Sequence, residues 1–139
     1  MGPENPCEDV ARLNAISEQI IACAIEAHRR LGPGLLESVY EAALAAELEE
    51  RALRFERQKT LPVRYKGRVL GEFRLDLLVE NSVVVEIKSV DRLDPIFEAQ
   101  LLSYLKLGEY RLGLLMNFDS ALVTRGIRRL VNNFPQVDA

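Results

Sequence analysis

Two opposite charges, Glu86 and Lys88, end an apolar run that begins at Val83. The run is rich in β-branched residues, so it predicts an interior strand of a sheet that is covered on both faces. Because side chains alternate along a strand, Glu86 and Lys88 should lie on the same side. Burial of an unpaired charge is costly, so each group must be paired, solvated or bound to an ion.

A second carboxylate, Asp76, follows Phe73-Arg74-Leu75 on the preceding predicted strand. An Asp on one strand and a Glu-x-Lys on the next favour a site for Mg²⁺ and a phosphate group. The alternative is an exposed strand end, where Glu86 pairs weakly with Lys88 or Arg74 and contributes under about 1 kcal/mol.

The turn between these strands decides whether the two carboxylates meet. A two-residue turn at Asn81-Ser82 would pair Asp76 with Ile87 and put Asp76 on the wrong face. A three-residue loop that also includes Glu80 would pair Val79 with Val83 and Asp76 with Glu86. Asn81 tolerates the left-handed conformation that such a loop often needs. A metal site therefore predicts an odd-numbered loop or a bulge here.

The remaining periodicity predicts the elements around this hairpin. They are a helix from about residue 14 to 31, a helix from Leu36 that fades near Leu53, strands at Phe55–Tyr65, Val69–Val79 and Val83–Lys88, a helix from Pro95 to about Lys106, and a strand at Tyr110–Asn117. Asp94-Pro95 suits the start of its helix, and Gly32-Pro33-Gly34 ends the first one. Residues 121–133 could be a strand or a helix. The order predicts a single mixed-sheet α/β domain.

Composition limits the class of protein. The chain has 139 residues and one histidine, His28, so we expect neither a His/Cys zinc site nor a Ser-His-Asp triad. We expect a flexible tail over residues 1–12, a single domain over 13–134, no signal peptide, no membrane span and a cytoplasmic location with two free thiols, Cys7 and Cys23.

The net charge of −3 argues against non-specific binding to nucleic acid, but the charges are unevenly distributed. Residues 51–74 carry eight Lys and Arg against Glu56 and Glu72. This basic stripe suits phosphate contacts along one edge. It equally suits a solvated hairpin whose charges protect a sheet edge from pairing.

Several short motifs resemble one known family. Gly34-Leu35-Leu36-Glu37-Ser38-Val39-Tyr40 matches the pattern that names the GxxExxY proteins, and residues 25–33, Asp76, Glu86-Ile87-Lys88 and residues 100–105 are also similar to that family. The resemblance extends over about residues 13–132. It implies the PD-(D/E)XK nuclease superfamily and its restriction-endonuclease-like α-β-β-β-α-β core, here a mixed sheet flanked by helices with one extra N-terminal helix.

The resemblance also implies roles for individual residues. Glu37 corresponds to the acidic residue on the first core helix, Asp76 to the metal-binding Asp, and Glu86 and Lys88 to the Glu-x-Lys element. Gln100 and Tyr104 are similar to a Gln-x-x-x-Tyr motif. Leu75 stands where the superfamily pattern has proline. His28 matches the family pattern, and we expect it on the flank of its helix.

The expected activity is Mg²⁺-dependent hydrolysis of phosphodiester bonds in DNA or RNA, with Mn²⁺ able to substitute. Asp76 and Glu86 would hold the ion, Glu37 would contact it directly or through water, and the backbone carbonyl of Ile87 could add a ligand. Lys88 would orient the attacking water. The alternative is a nuclease-like module that binds nucleic acid or a protein without cutting, within a larger assembly; the chain could also form a homodimer.

Overall fold

The computed structural model describes residues 6–135, and two helices form its N-terminal part. Helix α1 spans Pro6–Leu31 and helix α2 spans Glu37–Glu50. Between them Gly32 and Gly34 adopt φ values of +72° and +92°, a left-handed conformation that side chains with a Cβ rarely adopt. These glycines therefore separate the helices as the sequence predicts.

Helix α1 begins earlier than expected. The predicted tail included residues 6–12, but the structure places them in α1; residues 1–5 lie outside the described part of the chain. The buried carboxylate of Asp9 explains the difference, because it forms ion pairs with Arg12 and with Arg111, a residue far along the chain. A polar tail sequence is thus held in the domain by a long-range ion pair.

Five strands form one mixed sheet in sequential order. They are β1 (Phe55–Tyr65), β2 (Arg68–Val79), β3 (Val83–Lys88), β4 (Leu112–Asn117) and β5 (Ile127–Val131). The β3–β4 pair is parallel and the other pairs are antiparallel. Helix α3, Pro95–Gly108, makes the crossover that a parallel pair requires. The ambiguous segment 121–133 contains a short 3-10 turn followed by β5.

The sheet separates two apolar cores. One lies against α1 and α2 and includes Val83, Val85 and Ile87; the other lies against α3 and includes Val84. Strand β3 is buried along nearly its whole length, as predicted. Because its residues alternate, Glu86 and Lys88 lie on the face that packs against α3.

Helix α3 is fixed at both ends. The Asp94 carboxylate accepts a hydrogen bond from the Ile96 N–H at 3.0 Å, and Pro95 occupies the first turn, so the predicted start is confirmed. The helix ends at Gly108, slightly beyond the predicted Lys106, where Glu109 adopts a φ of 58°.

The predicted fold class is confirmed. The order from α2 to β4 is the α-β-β-β-α-β core, with α1 as the extra N-terminal helix and β5 as an additional edge strand. Within residues 6–135, no helix is both long and apolar enough to cross a membrane.

Candidate metal and phosphate site

The loop between β2 and β3 has the predicted length and register. Val79 pairs with Val83, so Glu80, Asn81 and Ser82 form a three-residue loop. Glu80 and Asn81 have φ values of 50° and 51°, which is the left-handed conformation expected there. Backbone pairing continues to Leu77 and Val85 and then stops. Beyond that point a side chain joins the two strands: the Asp76 Oδ2 accepts a hydrogen bond from the Ile87 N–H at 2.7 Å.

The alternation of side chains along β2 breaks at Asp76. Leu77 and Val79 pack in the core beside α1 and α2, whereas Leu75 packs with Leu78 in the core beside α3. Strict alternation would place residues 75, 77 and 79 on one face. The irregularity lies opposite Gln58 of β1, whose φ of 53° is rare for a residue with a side chain. Local distortions of this kind often redirect a functional side chain.

Glu86 is the most unusual charged residue in the described part of the chain. It is 7% exposed, and its Oε1 has no hydrogen-bond partner among the described residues. Burial, followed by the neighbouring Asp76 carboxylate, raises the pKa of Glu86 to about 9. Burial beside a second carboxylate disfavours the charged form of Glu86, and a bound cation would offset that cost. The pair is therefore a suitable place for a hard divalent cation.

Lys88 lies at the end of β3, next to this pair but turned toward α3. Its Nζ is 4.6 Å from the centre of the Phe97 ring, which is a favourable cation–π distance. Among the side chains of residues 9–135, its ammonium group forms no salt bridge with Glu86 or with any other carboxylate. The alternative of a simple Glu86–Lys88 surface pair therefore has no support in the structure.

Glu37 does not contact Asp76 or Glu86 through a hydrogen bond, but it is bonded to the segment that follows Lys88. Its Oε1 accepts a hydrogen bond from the backbone N–H of Ser89 at 3.3 Å, and the Ser89 hydroxyl donates to the Leu35 carbonyl at 2.7 Å. The start of α2 is thus joined to the residue that follows Lys88. No group of three or more His, Cys, Asp or Glu residues in the described range is arranged to hold a metal ion. The structure therefore brings Asp76 and Glu86 together but leaves Glu37 outside that pair.

A polar connection that the sequence did not reveal leads from Asp76 to α2. The side-chain amide of Gln58 donates to Glu41 Oε1 at 2.6 Å and is 3.4 Å from Asp76 Oδ1. Glu41 is buried and also forms an ion pair with Arg57 at 2.9 Å. Glu41 lies one helical turn after Glu37, so helical spacing could have indicated it. Nothing in the sequence marks Gln58, because its left-handed backbone is set by the sheet.

Of the two predicted residues on α3, the structure brings one toward the site. Burial raises the pKa of Tyr104, and the carboxylates of Glu86 and Asp76 raise it further, so its hydroxyl is within their electrostatic reach. Its ring contacts that of Phe73, with 4.9 Å between centroids. Gln100 is exposed and forms no hydrogen bond with the described side chains or backbone outside its helix. Its predicted role stays a prediction.

The other motif residues stabilise the loop before α2. The Tyr40 hydroxyl donates to the Gly32 carbonyl and accepts from the Leu35 N–H, while its ring stacks on Phe118 with 4.6 Å between centroids. His28 Nε2 lies 3.1 Å from the Phe118 carbonyl oxygen. The expectation that His28 lies on a helix flank is wrong, because the side chain is buried under this contact.

Comparison with known proteins agrees with this geometry. A family model described as the PD-(D/E)XK nuclease superfamily matches residues 14–130, which is most of the chain. No curated protein and no solved structure matches the chain significantly. The match spans both carboxylates, the lysine beside them and the helices that pack on each face of the sheet. The chain therefore belongs to the PD-(D/E)XK nuclease superfamily.

Proposed function

We propose that this protein is a nuclease that hydrolyses phosphodiester bonds of DNA or RNA with a divalent metal ion, Mg²⁺ or Mn²⁺. One observation carries the proposal: the carboxylate of Glu86 is buried beside Asp76, and its Oε1 has no hydrogen-bond partner among the described residues. An arrangement this unfavourable for the metal-free protein is typical of functional sites.

The residues present fit a hard cation. Asp76 and Glu86 would supply carboxylate oxygens, and water would complete the coordination, as is usual for Mg²⁺. The Ile87 carbonyl is a further candidate ligand, because a residue in an extended strand directs its N–H and its C=O toward the same neighbour, and the Ile87 N–H faces Asp76. The bound ion would polarise a phosphate and lower the pKa of a water molecule.

The chain's own groups have separate tasks in this proposal. The Ile87 N–H fixes the rotation of the Asp76 carboxylate, and Gln58 supports its other oxygen. Lys88 can offset negative charge that develops on the phosphate, and the Phe97 ring restricts its ammonium group meanwhile. Glu37 orders the Ser89 N–H at the end of the same strand.

The test uses Glu86→Gln, which keeps the shape of the side chain and removes its charge. We expect calorimetric titration with Mg²⁺ and with Mn²⁺ to show binding to the wild type and none to the variant. Cleavage of mixed DNA and RNA substrates should fall at least about a hundredfold, as when a transition-state contact is lost. Glu49→Gln on the exposed face of α2 is the matched control. Wild-type protein that binds no metal, with or without nucleic acid, would contradict the proposal.

A second function is favoured by one specific observation. In the described range no third carboxylate joins Asp76 and Glu86 in a metal-binding group. A nuclease-like module that binds nucleic acid or protein without cutting it would account for this. Metal binding without cleavage of any substrate would support that function. The buried free thiol of Cys23 suits a reducing compartment such as the cytoplasm in either case.

A further inference from the structure

The outer part of the β1–β2 hairpin projects from the domain as a two-stranded ribbon. We call residues 64–74 the hairpin arm; every one of them is exposed, whereas Leu75 and Leu77 just beyond it are buried. The arm turns at Lys66-Gly67, and a register shift between Val63 and Arg64 lies opposite Val69 and Gly71 within it. Strand β3 pairs only with residues 77–79 of β2, so the arm extends past the sheet.

The arm concentrates positive charge that the rest of the domain does not neutralise. It carries Arg64, Lys66, Arg68 and Arg74 against Glu72 alone. None of the four cations forms a salt bridge with any side chain in the range 9–135. By contrast, the two arginines near the end of α1 are both paired with one glutamate. The arm is therefore a cationic surface without a partner among the described residues.

The apolar side chains of the arm lie among these cations. Tyr65 is paired with Arg68 across the two strands, and Leu70, the exposed residue that the register shift leaves without a partner, lies close to them along β2. Aromatic and apolar side chains between cations are typical of surfaces that contact bases and sugars as well as phosphates. A second copy of the arm is a poor partner for this surface, since like charges would face each other.

The strand connects the arm directly to the carboxylate pair. With a rise of about 3.4 Å per residue, Arg74 lies roughly 7 Å and Arg68 roughly 27 Å along β2 from Asp76. Phosphates on one strand of a duplex advance by about 3.4 Å per base pair, so the arm extends over about eight base pairs. The major groove of B-form DNA is wide enough to admit a two-stranded ribbon, and phosphates flank it on both sides.

We propose that the hairpin arm lies in the major groove of duplex DNA and binds its phosphates, with the tip of the arm about eight base pairs from the site of Asp76 and Glu86. This inference rests on the proposed nuclease function, since it names duplex DNA as the substrate and assigns a surface to it. It explains why a protein with a net charge of −3 can bind a polyanion: the attraction is local.

The test compares two pairs of substitutions that remove the same charge. Arg64→Gln with Arg68→Gln changes the arm, and Arg129→Gln with Lys106→Gln changes exposed cations outside residues 51–74. Binding of a labelled duplex of about 30 base pairs is measured with chelator present, so that cutting does not interfere. We expect the arm variant to bind roughly tenfold more weakly, with a salt-dependence slope smaller by about 1.8, and the control variant to resemble the wild type.

Substrate form and length sharpen the test. We expect affinity of the wild type to rise when the duplex is lengthened from about 6 to about 15 base pairs, and the arm variant to lose most of that gain. Arg74 is close to the site, so Arg74→Gln should weaken the binding of both the short and the long duplex. The deep, narrow major groove of duplex RNA does not admit a ribbon. If the arm variant lost as much affinity for duplex RNA or for single strands as for duplex DNA, the assignment to duplex DNA would be overturned.

The outcomes separate this inference from the proposed function. Weaker DNA binding by the arm variant, with no cleavage by the wild type under Mg²⁺ or Mn²⁺, would support the arm and contradict the nuclease. Cleavage by the wild type, with equal DNA affinity in the arm and control variants, would overturn the arm and leave the nuclease. If the arm variant differed from the wild type in molecular mass by light scattering, but not in its affinity for DNA, the arm would instead be assigned to self-association.

Discussion

Tyr40 and Glu86 lie in two regions of the molecule that differ in how well their polar groups are hydrogen-bonded. Around Tyr40 the hydroxyl has both a donor and an acceptor partner, and the ring is stacked on Phe118. Glu86, by contrast, is buried beside another carboxylate, and its Oε1 has no hydrogen-bond partner among the described residues. The first arrangement stabilises the fold, whereas the second is one that a metal-free protein tolerates at a cost.

This difference separates motif residues that stabilise the fold from the residues that we propose carry the chemistry of the site. Tyr40 and His28 hold the segment between α1 and α2 in place through Phe118. That segment presents Glu37 and the Leu35 carbonyl to Ser89, which follows the Glu-x-Lys element. A residue can therefore belong to the family pattern without contacting substrate or metal.

The largest expected effect concerns the stabilising region. Phe118→Ala would remove the ring that stacks on Tyr40 and leave a cavity, so we expect the free energy of unfolding to fall by about 3–5 kcal/mol. Urea denaturation measures this change. Metal affinity of the folded protein should be unchanged, because Phe118 contacts neither carboxylate. Phe118→Leu, with a smaller cavity, should show the same separation with a smaller loss of stability.

We expect Glu86 to change the free energy of unfolding by a few kcal/mol as the pH changes. Its pKa in the folded protein, about 9, is above the usual value of 4.5. Below pH 4.5 both the folded and the unfolded chain hold the proton, so stability does not change on this account. Between pH 4.5 and 9 the folded chain holds more protons, so stability should fall as pH rises, by up to about 1.4 kcal/mol per unit.

Urea denaturation at several pH values between 5 and about 8 measures this slope. We expect Glu86→Gln to flatten it and to be more stable than the wild type at the upper end, because the amide has no charge to desolvate. Mg²⁺ should flatten the wild-type slope too, since it binds the ionised pair. A metal-free wild type whose slope equals that of Glu86→Gln would show that the two regions do not differ in this way.

The sequence predicted the elements and the register that bring Asp76 to Glu86, because local patterns determine both. The apolar alternation located β1, β2 and β3, and the parity of the loop from Glu80 to Ser82 fixed which residues face each other. The start of α1 could not be predicted, because Asp9 is held by Arg111, which is distant in the sequence. The break at Asp76 and the backbone of Gln58 are likewise products of the assembled sheet.

The smallest effect concerns Gln58, which lies between the two regions. Gln58→Gly would relieve the left-handed backbone, worth about 1–2 kcal/mol, but would add freedom to the unfolded chain and remove the hydrogen bonds to Glu41 and Asp76. We therefore expect a net change in stability within about 1 kcal/mol. Cleavage should fall about tenfold, because Asp76 loses a partner that orients it.

Asn81→Gly is the matched control for this substitution. Asn81 has nearly the same φ, 51°, but lies in the loop at the opposite end of the hairpin strands from Asp76. The Asn81→Gly variant should be more stable than the wild type by a few tenths of a kcal/mol at most, since Asn already tolerates this conformation. It should cleave at the wild-type rate. If both glycine variants cleaved equally well, Gln58 would be a strained residue of the sheet and not a positioning residue of the site. A loss of cleavage in Gln58→Gly alone would instead show that Gln58, which is hydrogen-bonded to Glu41 of α2, supports Asp76 in the reaction. The region around α2 would then contribute to the site as well as to the stability of the fold.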